Sequence, residues 1–193
     1  MPSIVIIYHS ASGTTAQLAD AIFAGAQELA TPSVYRISGT EIIAGRFKNE
    51  EIWAQLDQAD AIIFGSPTYM GGPSAQFKAF ADASGERWSQ RAWANKIAAG
   101  FTIGSNLNGD QFNTLLSLSV LAAQHGMLWC GVDIPGGYDE QGRNRLGTQL
   151  GVAAQSNDGQ VNAIDLMTAH YLGMRVAQIA LKMGNKPIPK DTP

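Results

Sequence analysis

Ser10, Ser12, Thr14 and Thr15 crowd four hydroxyls into six residues around one glycine, Gly13. The segment, His9-Ser10-Ala11-Ser12-Gly13-Thr14-Thr15, follows a β-rich apolar run and leads into a helical pattern. At a helix N-terminus the free backbone N–H groups and the positive end of the dipole favour an anion. The hydroxyls add O–H donors, and Gly13 permits close backbone approach. The turn contains no lysine or arginine, so it suits a monophosphate held by neutral donors. Ordinary Ser/Thr capping explains one such hydroxyl but not four. A dinucleotide site wants G-x-G-x-x-G and an acidic residue after the second strand, whereas that strand ends here in Arg36-Ile37-Ser38. A Walker loop is absent.

Two further turns suit a flat ring. One runs from Gly65 to Ser74 as Gly-Ser-Pro-Thr-Tyr-Met-Gly-Gly-Pro-Ser. The other runs from Thr102 to Gly109 as Thr-Ile-Gly-Ser-Asn-Leu-Asn-Gly. Their glycines free backbone N–H groups to face a ligand, and Tyr69 could cover an aromatic ring. Each turn follows an apolar run, at the carboxyl edge where open α/β sheets bind ligands.

These three loops need a scaffold, and the hydropathy pattern supplies one. Ser3–Tyr8, Asp60–Gly65, Lys96–Ile103 and Met127–Val132 read as parallel strands covered on both faces. Ser33–Ile37 is a further strand, placed by alternation. Leu18, Ile22, Gly25 and Leu29 recur at helical spacing after Thr14 or Thr15. Gln55 and Leu56 close a short helix. Ser74 opens another through Phe77 and Phe80. Phe112, Leu115, Leu116 and Ala123 mark a fourth, and Ile164, Met167, Tyr171, Met174 and Leu181 a long last one. The order βαβαβαβαβα predicts an open parallel sheet with helices on both faces. One domain is expected over residues 1–184, with a proline-rich tail at 185–193. Gly131–Val161 is long for a connection, and loops of that length are usually functional or interfacial.

The composition excludes several classes. The chain has 193 residues, 45% hydrophobic and 15% charged, with net charge -3, which fits a globular domain without a basic field for nucleic acid. The apolar start, Met1 to Tyr8, is too short for a signal peptide and lacks its charged beginning. No apolar run reaches the length of a membrane span. Cys130 is the single cysteine, so no internal disulfide forms, and it reads as a buried, inert thiol in a cytoplasmic protein. No His/Cys/carboxylate cluster has metal spacing, and no G-x-S-x-G elbow exists.

Ser10-x-Ser12-Gly13-x-Thr15 resembles the flavodoxin phosphate signature. Gly65-Ser66-Pro67-Thr68-Tyr69-Met70-Gly71-Gly72 resembles the G-[ST]-P-T-x-x-G loop of the WrbA-type NAD(P)H:quinone oxidoreductases. The likeness continues through Gln76–Phe80, Ala123–Met127, Asn157-Asp158-Gly159 and the last helix. It implies an α/β, flavodoxin-like three-layer sandwich whose five-stranded parallel sheet has the order 2-1-3-4-5. It also implies FMN, two-electron transfer from NAD(P)H to quinones, and a homodimer or homotetramer. Carried over by residue, Ser10, Ala11, Ser12, Gly13, Thr14 and Thr15 hold the phosphate. Pro67, Thr68, Tyr69, Met70 and Gly71 border the ring, and Ile103, Gly104, Ser105, Asn106, Asn108 and Gly109 wrap its other edge. His125 lies near the flavin pyrimidine and, with Trp88 and Tyr69, forms the substrate slot. Ser12 stands where the family usually has an aromatic residue, and Tyr69-Met70 where it has Arg-Phe. On the residues alone, His125 could simply cap a helix and Trp88 and Trp93 could be packing. A one-electron carrier or a non-catalytic regulator would share the fold. Carriers are usually strongly acidic, which -3 is not.

Overall fold

The structure, a computed structural model, describes residues 1–184; the tail at 185–193 lies outside the described residues. The chain runs β1 (Ser3–Tyr8), α1 (Thr14–Ala26), β2 (Thr31–Arg36), a small hairpin of β3 (Ile42–Ile43) and β4 (Arg46–Phe47), then α2 (Glu50–Gln58) and β5 (Ala61–Tyr69). It continues with β6 (Gly72–Pro73), α3 (Ala75–Ala83), α4 (Gly85–Ser89), β7 (Ile97–Gly104), α5 (Gln111–Gln124), β8 (Leu128–Trp129), β9 (Val152–Gln155) and α6 (Ala163–Met183).

The sheet has the parallel order β2-β1-β5-β7, and a fifth lane shared by β8 and β9. β8 pairs with Ile97 and Ala98 at the start of β7, and β9 with Phe101 to Gly104 at its end. The expected lane order holds, but the sheet contains seven strands rather than five. β6 adds a short antiparallel pairing to the end of β5, and the last lane is broken in two. The strand expected at Met127–Val132 is confined to Leu128–Trp129, and Gly131–Val161 is not one connection, because it contains β9. Two alanines in a four-residue strand give β9 little propensity signal.

Alternation along the strands divides the core into two layers. Ile4, Ile6, Ile63 and Phe101 face α1 and α6, meeting Leu18, Ile22, Leu172 and Val176. Val5, Ile7, Ile62 and Phe64 face the other way, toward Trp53, Phe77, Phe80, Trp93 and Leu115. α1 and α6 approach through glycine. A Cβ on Gly25 would fall 1.9 Å from the His170 carbonyl oxygen, and one on Gly173 would fall 2.0 Å from that of Ile22. The faces expected for two helices are turned. Phe112 and Leu116 of α5 are exposed while Leu115 and Leu118 are buried. On α6, Met167 and Leu181 are exposed while Leu172 and Val176 are buried.

Candidate cofactor site

The three loops meet at the carboxyl edge of the sheet around a cavity of about 260 Å³. Ser12 and Thr14 line it from the first, Pro67, Thr68 and Tyr69 from the second, and Ile103, Gly104 and Ser105 from the third. Ser156, Asn157 and Gly159, which follow β9, close the remaining side.

The first loop is shaped by Gly13. Its φ of 94° is the left-handed conformation that glycine adopts without strain, and it forms the N-cap of α1 with no side chain capping the helix. The first-turn N–H groups are therefore left for an external acceptor. The four hydroxyls divide. Ser10 is buried, and its Oγ accepts the Gly13 N–H at 3.2 Å, which braces the turn. Thr15 is buried one residue into the helix. Ser12 and Thr14 line the cavity, with their hydroxyls 3.2 Å apart. Ala11 is exposed and, like Ser10, Gly13 and Thr15, does not line the cavity.

The second loop is a tight hairpin between β5 and β6, with Met70 (φ 49°) and Gly71 (φ 78°) at its tip. Ser74 donates its backbone N–H to Ser66 Oγ at 2.9 Å and caps α3 through Phe77. Thr68 stands in a chain of three hydroxyls, 2.9 Å from Thr102 and 2.8 Å from Thr114, both buried. That chain fixes the loop to β7 and α5. Tyr69 is 45% exposed at the rim, and Met70 is fully exposed outside it.

Gln111 holds the third loop. Its Nε2 donates to the Asn106 carbonyl at 2.5 Å, and its Oε1 accepts from the Gly109 N–H at 2.7 Å. A Cβ on Gly104 would lie 2.8 Å from that same Nε2, so a side chain there would have to displace the Gln111 brace. Asn106, Asn108 and Gly109 form this braced loop beside the cavity rather than its lining.

The closing loop does not show in the residue pattern as part of the site. Gln17 of α1 donates to the Gly159 carbonyl at 3.0 Å and accepts from the Val161 N–H at 3.2 Å. The family likeness at Asn157-Asp158-Gly159 was the available signal. Arg36 is equally hidden in the sequence: its Nη2 donates to the Ser10 carbonyl at 2.5 Å. Burial, reinforced by this guanidinium, holds the His9 imidazole below its usual pKa. Burial and then Asp20 raise the Tyr8 hydroxyl, and Arg36 opposes them.

The structure does not bring His125 or Trp88 to the cavity. α5 starts beside the third loop and carries the chain back for about 21 Å at 1.5 Å per residue before reaching His125, its C-cap. There His125 is buried against Trp93, with ring centroids 4.2 Å apart, and Ser84. Trp88 lies on α4, which the chain reaches only after α3 has carried it about 13 Å. It is 52% exposed. Trp93 is core, Cys130 is buried with its thiol pKa raised by burial, and His170 meets Glu28 at 3.2 Å.

An uncapped helix N-terminus with hydroxyls beside it fits a phosphate. A cleft lined by Tyr69 and Ile103–Ser105 fits a flat aromatic ring. Fold and site together define a flavodoxin-like domain with its ligand edge at the carboxyl ends of the strands. The model of the NADPH-dependent FMN reductase family matches residues 2–131. The chain is 37% identical to a Pseudomonas aeruginosa protein named flavodoxin FldP, over 95% of this chain and 99% of that one. It is 35% identical to an NAD(P)H dehydrogenase (quinone) of Archaeoglobus fulgidus, over 95% and 100%. The crystal structure of a flavodoxin, WrbA-like protein from Agrobacterium tumefaciens superposes with a TM-score of 0.75, at 42% identity, over 95% and 100%. The chain belongs to the NADPH-dependent FMN reductase family. It is an oxidoreductase whose cofactor is FMN and whose electron donor is NAD(P)H.

Proposed function

We propose that this protein passes two electrons at a time from NAD(P)H to a quinone or a similar small acceptor, and works as a homodimer or homotetramer. The observation that carries the reading is the open rim of the cavity. Tyr69 is half-exposed there, beside a cleft lined by Ile103–Ser105 and closed by Ser156, Asn157 and Gly159. A flat donor and a flat acceptor can use such a rim in turn.

Bound FMN supplies the hydride chemistry. The chain binds and orients it. Ser12, Thr14 and the N-terminus of α1 take the phosphate, while Pro67–Tyr69 and Ile103–Ser105 hold the two edges of the ring. The Thr68–Thr102–Thr114 hydroxyl chain keeps the ring-facing loop in register. Trp88 is not among the residues that line its own chain's cavity, and its exposure suits a role at a neighbouring subunit's site. Such a roof would exclude water.

The 37% likeness to a protein named as a flavodoxin favours a second reading, a one-electron carrier for protein partners. Steady-state oxidation of NADH and NADPH with benzoquinone, beside reduction of cytochrome c, separates the two. Rapid benzoquinone turnover by an oligomer supports the proposal. Turnover confined to the one-electron acceptor would overturn it.

A further inference from the structure

The phosphate turn, read as a sequence, contains no cation, yet the fold brings one to it. Arg36 ends β2 and pairs in register with Tyr8, the last residue of β1. From there its guanidinium donates to the carbonyl of Ser10, adding a second tie to the one between Ser10 Oγ and the Gly13 N–H. Arg46, Arg87, Arg143, Arg145 and Arg175 each meet a carboxylate. Among the described residues no carboxylate lies within ion-pair distance of Arg36. Its charge is felt at the two residues that enter the turn, where it acts to lower the pKa of both Tyr8 and His9.

We propose that Arg36 is the cationic half of the phosphate site, tethering the turn through the Ser10 carbonyl and offsetting the charge of the bound phosphate. The inference rests on the assignment of the phosphate to this turn. Two physical arguments support it. A phosphate monoester carries about -1.5 to -2 at neutral pH, whereas a helix N-terminus offers roughly half a positive charge. Neutral hydroxyls add donors but no charge, so a dianion at this turn is under-compensated without Arg36. The second argument concerns geometry. A trans peptide points its N–H opposite to its C=O, so gripping the Ser10 carbonyl also fixes the direction of the Ala11 N–H. Arg36 is thus a positioning residue for the turn as well as a source of field.

The test uses apo-protein and two ligands that differ only in the phosphate. FMN and riboflavin are titrated by fluorescence quenching into wild type, Arg36→Gln and Arg36→Lys, at low and high salt. Arg36→Gln should weaken FMN by about tenfold or more and riboflavin by less than about twofold. Salt should weaken FMN binding to wild type more steeply than to Arg36→Gln, because only wild type retains the charge to be screened. Arg36→Lys keeps the charge without the planar fork, and should fall between the two while keeping the wild-type salt dependence. Equal losses for both flavins, or no loss for FMN, would overturn the role of Arg36 while leaving the turn as the phosphate site. Wild type that distinguishes FMN from riboflavin by no affinity difference would overturn both. If Arg36→Gln fails to fold, the Arg36→Lys salt dependence decides alone, and a flat response counts against the proposal.

Discussion

Arg145 grips Asp165 through two hydrogen bonds of 2.7 Å each, and the carboxylate is almost wholly buried. The same carboxylate accepts the Gln155 N–H at 3.1 Å. One side chain at the start of α6 therefore ties down the segment between β8 and β9, the end of β9, and through it the loop that closes the cofactor cavity.

Breaking this pair from one side should be costly. Arg145→Ala leaves a buried carboxylate with no cation, and should lower the stability of the apo-protein by about 3–5 kcal/mol in urea titrations. FMN affinity should fall with it, because Ser156–Gly159 lose their anchor. A loss under about 1 kcal/mol would put the pair in the class of surface ion pairs.

Ser12 and Thr14 are the hydroxyls that reach the cavity. Ser12→Ala and Thr14→Ala should each weaken FMN by about 1 kcal/mol and leave riboflavin unchanged. Ser10→Ala should behave differently. It removes the acceptor of the Gly13 N–H, so it should lower apo-protein stability in urea as well as FMN affinity, with riboflavin again unchanged. Isothermal titration with the two ligands reads the affinities, and urea titration the stability.

The glycine contact between α1 and α6 predicts a sharp asymmetry. Gly173→Ala meets backbone 2.0 Å away, which cannot swing aside as a side chain can. Its cost should be about 1–3 kcal/mol or more. Gly85, the first residue of α4, has nothing within 4 Å of the point a Cβ would occupy. Gly85→Ala should be neutral or stabilising by up to about 1 kcal/mol. Thermal melts should show a clear drop for Gly173→Ala and none for Gly85→Ala, and matching shifts would contradict the packing described.

Acid should destabilise the protein through His125. Burial lowers its pKa to about 4, from an ordinary value of 6.5. Ser84 gives its hydroxyl proton to the Ala81 carbonyl at 2.7 Å, so His125 donates from Nε2 at 2.8 Å, and Nδ1 is buried without a partner. A proton on Nδ1 would create a buried donor with nothing to receive it. The unfolded chain binds that proton more readily, so this contribution is fully present above pH 6.5 and is lost as pH falls toward 4. The slope should approach about 1.4 kcal/mol per pH unit inside that window. Urea midpoints at pH 7, 6 and 5 should fall for wild type and fall less for His125→Gln. Parallel curves would remove His125 as the cause.

The lanes of the sheet are legible in the sequence because Ile4–Ile7 and Ala61–Phe64 are continuous apolar runs, and such runs have few uses outside a buried parallel strand. The phosphate turn is legible because its residues are contiguous. What is hidden is whatever depends on rotation or register. Phe112 and Leu116 share a helical stripe as convincing as that of Leu115 and Leu118, and periodicity does not say which stripe the sheet covers. Arg36 reaches the turn only through the register of β2 on β1, which sets it beside Tyr8 and which lane order alone does not reveal. His125 and Trp88 carry over by motif alone, and a motif does not record that two helices have meanwhile crossed the domain.

The broken fifth lane has a kinetic consequence. β8 is separated from α5 by only a short turn, so it can join β7 as soon as that helix docks. β9 pairs with the same strand only after residues 130–151 have been looped out, and closing a loop costs entropy before any contact rewards it. The wall of the cavity nearest Ser156 is therefore expected to assemble after the β8 end of the same lane. Amides of Val152 to Gln155 should exchange with deuterium well before those of Ile97 and Ala98, although both groups belong to one sheet. If those amides do exchange first, half a strand opens at the cavity wall while the rest of the core stays closed.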